Sequence, residues 1–167
     1  MKNTAENRKP TTRRKKVKPV PEGFHGVNSF LVVDGADDLI KFIVDGLGGE
    51  QTKILRTDDN KVHHATVRIG DSTIMIADTM GDMPQELAML FLYVDDADAV
   101  YQTAVDAGGE SIQEPKDEFY GDRVGGVKDR WGNKWWIGTH KEEVEGEELE
   151  RRAQASNKER EKEHQNA

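Results

Sequence analysis

The sequence contains no cysteine. That excludes disulfides, thiolate zinc sites and cysteine nucleophiles, and it accords with a reducing cytoplasm, the expected location. Long apolar runs are missing too. The longest, MLFLYV from Met89 to Val94, falls far short of the roughly 20 residues that a spanning helix needs, so no membrane association is expected. The first residues, MKNTAENRKPTTRRKKVKP, lack the apolar segment of a secretory signal and are not expected to act as one. The C-terminal stretch has no apolar heptad, which excludes a coiled coil.

Positive charge is scarce in the body of the chain. The net charge is -8, but residues 1–20 carry eight Lys or Arg against one Glu, and residues 141–167 carry six against nine acidic. Residues 21–140 hold 10 basic and 22 acidic side chains. Such a body is a poor platform for phosphates, which require clustered Lys and Arg. Nucleic-acid contact through the basic N-terminal arm is not expected either, and the arm reads as a solvated, disordered tail.

What the chain does have is a repeat. FLVVDGAD begins at Phe30 and FLYVDDAD at Phe91, and each is followed by an apolar-periodic stretch ending in Gly-Gly-Glu, at Gly48 to Glu50 and at Gly108 to Glu110. VRIGDSTIMIAD, from Val67, lies over VKDRWGNKWWIGTH, from Val127, with a small gap. The copies, about residues 28–78 and 89–140, form an internal duplication rather than a solenoid.

Each copy opens with a short β-branched or aromatic strand. Asp34 and Asp95 stand where an N-cap is expected. Leu39, Ile40, Ile43, Val44 and Leu47 form one helical face in the first copy, and Ala97, Val100, Tyr101, Ala104 and Val105 form a weaker one in the second. The glycine pairs stop both helices, and three strands follow each. The unit is βαβββ written twice, an α+β fold. Residues 141–167 form a charged C-terminal helix or tail, with Glu147–Arg151 and Glu148–Arg152 pairs supporting its start and fraying expected past Arg152.

The stretches "DGADDLIKFIVDGLGGE" and "YVDDADAVYQTAVDAGGE" resemble the vicinal oxygen chelate superfamily of glyoxalase I, bleomycin-resistance proteins, fosfomycin-resistance enzymes and extradiol dioxygenases. "KPVPEGFH", "VHHATVRIGDSTIMIAD", "EFYGDRVGGVKDRWGNKWWIGTHKEEV" and "EELERR" look like its PhnB-like, glyoxalase-related branch. The resemblance covers residues 18 to about 152. It implies two half-open sheets curled around a cavity, commonly in a homodimer with elements exchanged between chains. In metal-using members it implies four ligands on the first and fourth strands of the units. Carried over, those places fall on Asn28 and Ile74 (or Ile76) in the first copy and on Met89 and Trp136 in the second. None is His or Glu, so no metal and no cofactor are expected.

Strand alternation then gives a cavity lined by Asn28, Phe30 and Val32, by Met89, Phe91 and Tyr93, and by Ile74, Ile76 and Trp136, the profile of a small-molecule pocket. In the EFYGDR loop, Tyr120 is placed to stack on a planar ligand and Arg123 to clamp an anionic group. His63 and His64 are strand neighbours facing opposite ways, and His64 is the one expected to face inward. Asp78 and His140 align across the repeat and are candidate acid–base partners. The expected function is reversible binding of a small, partly aromatic or anionic molecule. The alternatives are a divalent-metal lyase, isomerase or dioxygenase with Asp78, His140, His64 or Glu118 as ligands, and a dimeric protein-interaction module.

Overall fold

The computed structural model describes residues 18–81 and 83–165; of the basic arm, residues 1–17 lie outside these. The first unit comprises β1 (Ser29–Val33), α1 (Ala36–Leu47), β2 (Glu50–Arg56), β3 (Val62–Ile69) and β4 (Ser72–Asp78). The second repeats it as β5 (Met89–Tyr93), α2 (Ala97–Asp106), β6 (Glu110–Asp117), β7 (Asp122–Lys128) and β8 (Lys134–His140). Each unit forms one four-stranded sheet, in the orders β1-β4-β3-β2 and β5-β8-β7-β6. The first strand of each runs parallel to the fourth, and the other pairs are antiparallel.

The helices start where backbone N–H groups find acceptors, but not on Asp34 or Asp95. The α1 N-cap is Gly35, left-handed and without a side-chain cap. The orphan N–H groups of Gly35 and Ala36 are taken by Asp78 Oδ1 at 3.0 and 2.8 Å. The α2 N-cap is Asp96, one residue beyond the expected one, and it accepts from Ala99 N at 3.0 Å. The glycine pair ends α1 as expected: Gly48 has φ 69°, and Gly49 N donates back to Ile43 O at 3.0 Å. That left-handed conformation is one glycine adopts without a Cβ penalty.

Each helix covers one face of its own sheet. Leu31, Val33, Leu39, Ile43, Val67 and Ile76 are buried in one continuous core with Ala104, Trp135 and Ile137 of the second unit. Phe42 of α1 reaches Trp135 of β8, with ring centroids 6.4 Å apart. The units meet where α1 lies against α2. At the contact, a Cβ added to Gly46 would sit 3.0 Å from Ala107 Cβ and 3.1 Å from Ala104 Cα, so the helices approach over a missing side chain. Thr103 Oγ1 donates to Gly46 O at 2.8 Å, and Trp131 Nε1 donates to Asp34 O at 2.7 Å.

A third helix, α3 (Gly146–Gln165), follows. It continues well past Arg152, where fraying was expected. Arg152 binds Glu142 at 2.8 Å and Glu148 at 2.6 Å, while Arg151 pairs with Glu148 rather than Glu147. No helix among the described residues is long and apolar enough to cross a membrane.

Candidate functional site

With a helix packed on one face, each sheet leaves its other face open. On β1 and β4 Phe30 stands opposite Met75, and on β5 and β8 Phe91 stands opposite Trp136. Large apolar side chains are uncovered there: Phe30 is 45% exposed, Phe91 46%, Tyr93 63% and Met89 72%. His64 shares this face of the first unit, its ring edge-on to Phe30 with centroids 6.0 Å apart. In the second unit the rings lie over glycines. A Cβ on Gly138 would fall 2.7 Å from the Phe91 ring, and one on Gly126 would fall 2.8 Å from the Trp136 ring. Phe91 also packs on Tyr93, with centroids 4.9 Å apart.

Several expected site residues are placed differently. Ile74 pairs with Ser29, not Phe30, and is buried on the helix side of its sheet, as is Ile76. Met75 takes the position expected for Ile74, because a shift of one residue along a strand exchanges the two faces. Ile74 instead borders a cleft of about 300 Å³ between the units, with Leu90, Phe91 and Trp135. Asn28 holds a local turn, its side chain accepting from His25 N at 2.9 Å and donating to His25 O at 2.7 Å.

Arg123 alternates with Asp122 on β7 and so faces α2. Its guanidinium grips Asp98 at 2.5 and 2.7 Å and reaches Asp117 at 3.3 Å, which leaves no free fork for a ligand anion. Asp98 is held below the usual carboxylate range by that hydrogen bond. Tyr120 stands edge-on to Phe119 at 5.2 Å, and burial pushes its phenol up. The loop is locked by Gly121, φ 97°, whose O accepts from Lys141 N and Glu142 N at 3.0 Å each. A side chain there would collide with the Glu142 carbonyl.

Asp78 and His140 do not meet. Asp78 is buried and accepts from Gly35 N, Ala36 N and, at 2.6 Å, Val62 N. Its counterpart in the second unit is Thr139, which accepts from Ala97 N at 2.8 Å at the start of α2. His140 is one residue further on, so it points to the open face. There it meets Asp122, which sequence reasoning missed: His140 Nδ1 lies 2.7 Å from Asp122 Oδ1, and Tyr93 OH donates to Asp122 Oδ2 at 2.8 Å. The Asp122 carboxylate, then Glu143 3.2 Å from Nε2, raise the His140 pKa above the ordinary histidine value. The same carboxylate, through its hydrogen bond, raises the Tyr93 phenol. A cavity of about 470 Å³ opens here, lined by Tyr93, Val94, Asp95, Thr139 and His140.

In the observed register, the places where metal-using relatives carry ligands hold Asn28, Met75, Met89 and Trp136. An amide, two thioethers and an indole do not fit a hard divalent ion. Among the described residues, no three His, Asp or Glu side chains are grouped so as to hold one. Asp78, His64, His140 and Glu118 are therefore not brought together, and Glu118 is engaged by Gln113 at 3.2 Å.

Comparison with known proteins agrees with this architecture. The profile of the Glyoxalase/Bleomycin resistance protein/Dioxygenase superfamily matches residues 24–137. An uncharacterised protein of Mycobacterium bovis is 32% identical over 131 residues, covering 72% of this chain and 86% of its own. Among solved structures, a PhnB protein from Bacillus cereus superposes with a TM-score of 0.55 at 17% identity, over 69% of this chain and 99% of that one. TnmS3, an antibiotic-binding protein from a Streptomyces species, does so with a TM-score of 0.55 at 18% identity, over 76% and 99%. With two βαβββ units in tandem and a profile match spanning both, the chain belongs to the glyoxalase/bleomycin resistance protein/dioxygenase superfamily.

Proposed function

We propose that the protein reversibly binds a small, partly aromatic or anionic molecule, without a metal ion, in a cavity walled by the open sheet faces. The uncovered rings of Phe30, Phe91 and Tyr93 carry this reading, on faces that the helices do not reach. Covering a large apolar side chain yields about 1.5–3 kcal/mol, so two such faces gain by closing on each other and on a ligand. The units of one chain are joined back to back through α1 and α2. In a homodimer, the first unit of one chain would therefore close over the second unit of its partner. Phe30, Met75 and His64 would form one wall, and Phe91, Tyr93 and Trp136 the other. Tyr120 stands at the polar end. The antibiotic-binding relative TnmS3 lends this ligand class support, and the absence of cysteine suits a cytoplasmic setting.

The test uses 8-anilinonaphthalene-1-sulfonate, an aromatic anion that fluoresces in apolar surroundings. The expected result is saturable fluorescence together with a raised melting temperature, since a ligand at 100 times its Kd adds about 2.7 kcal/mol to stability. Fluorescence with a lowered melting temperature would mean that the dye binds loosened chains, and the reading would fail.

A further inference from the structure

The second unit's open face ends in a hydrogen-bonded set that simple apolar binding does not use. Asp122 is 3% exposed and accepts from Tyr93 OH through Oδ2 at 2.8 Å. Its Oδ1 lies 2.7 Å from His140 Nδ1. A carboxylate only accepts, so the ring hydrogen sits on Nδ1 and the basic lone pair of the neutral ring on Nε2. That nitrogen faces only Glu143, at 3.2 Å and largely in solvent, so an incoming group can take Glu143's place. The charged and titratable groups around the ring are Asp122 from β7, Tyr93 and Asp95 at the end of β5, Tyr120 from the β6–β7 loop, and Glu143 after β8. Asp122, then Glu143, raise the proton affinity of the ring above that of an ordinary histidine, so its neutral form is the stronger base. A cavity of about 470 Å³ lies beside it, lined by Tyr93, Val94, Asp95 and Thr139 as well as His140.

We propose that this end of the cavity receives a planar ligand bearing a weakly acidic O–H or N–H, and that His140 takes that proton. This rests on the ligand-binding reading above and gives the ligand its chemical class. In the step, the ligand's O–H bond breaks and its electron pair stays on oxygen. The proton forms an N–H bond at Nε2, while Nδ1–H remains on Asp122. The ligand anion is then held against an imidazolium whose second hydrogen bond is fixed by a buried carboxylate. No other reactant is needed. Tyr93, which lines the cavity with His140, supplies the surface on which the ring lies.

The probe is 4-nitrophenol, whose anion is coloured and whose neutral form is not. Equilibrium dialysis of the full chain gives the amount bound, and absorbance gives the ionised fraction. The ratio of anion to phenol should be about tenfold higher for bound than for free probe at the same pH, equivalent to one pH unit. His140→Gln, at an exposed strand end, should abolish the shift and lower the amount of anion bound, since the imidazolium that holds the anion is gone. Asp122→Asn, with folding checked by its melting temperature, should reduce it. The proposal is overturned if bound probe ionises like free probe, if the shift survives in His140→Gln, or if the naphthalene sulfonate binds and the nitrophenol does not. If neither probe binds, the ligand-binding reading falls with it; a naphthalene sulfonate that binds beside an unshifted nitrophenol sinks this proposal alone.

Discussion

The buried carboxylate of Asp78 ties the start of the first unit's helix to its sheet. It receives three backbone N–H groups, from Gly35, Ala36 and Val62. Each buried donor left without a partner costs about 1–3 kcal/mol, so Asp78→Ala should destabilise the fold by about 3 kcal/mol in urea unfolding. The spectrum of any bound probe should be unchanged, since Asp78 lies on the helix side. A loss below about 0.5 kcal/mol, the scale of ordinary surface changes, would contradict that role. At His140 the relevant quantity is a titration. Its pKa is raised, chiefly by Asp122 and then by Glu143, so its contribution to stability is present below the unfolded histidine pKa and is lost as pH rises through the folded one. Imidazole resonances followed by NMR should titrate above a model-peptide histidine and move back toward it in Glu143→Gln, and further in Asp122→Asn. A midpoint unmoved by both changes would contradict the hydrogen-bonded geometry.

The two helices, not the sheets, join the units. Their seam depends on Gly46, where even a methyl group would press on Ala107 and Ala104 at 3.0–3.1 Å. Gly46→Leu should therefore cost about 1–3 kcal/mol as an overpacked contact, read as a fall in the urea midpoint with the helical signal retained. An unchanged midpoint would mean that the helices separate without penalty. At this scale the sequence was legible in kind and opaque in register. The paired FLVVDGAD and FLYVDDAD stretches, the Gly-Gly-Glu stops and the alternating runs suffice to predict βαβββ twice. The sequence sets Asp78 against His140 rather than Thr139, and Ile74 where Met75 stands, because apolar residues occupy both faces of β4 and give no alternation to fix the parity. The Asp122–His140–Tyr93 set was hidden for a different reason. Its members lie on three strands, 18 and 29 residues apart in the pairs that touch, and only the β7–β8 pairing that sets Asp122 opposite His140 brings them together. For Arg123 the parity decides: one residue along β7 separates the open face, where Asp122 stands, from α2, where Arg123 meets Asp98.

For the whole molecule, the α1–α2 seam turns the aromatic faces outward, so the cavity proposed here takes its walls from two chains. That arrangement has a consequence that a cavity within one chain does not share. Phe30→Ser spoils the first-unit wall and Phe91→Ser the second-unit wall, so a homodimer of either variant carries two damaged cavities. A mixed dimer carries one cavity with both changes and one with neither. The decisive measurement is naphthalene sulfonate binding by each variant alone and by the two unfolded together, mixed and refolded. Binding absent from each variant alone but regained in the mixture is the predicted result. A mixture that binds no more than the average of its components would contradict a cavity shared between chains.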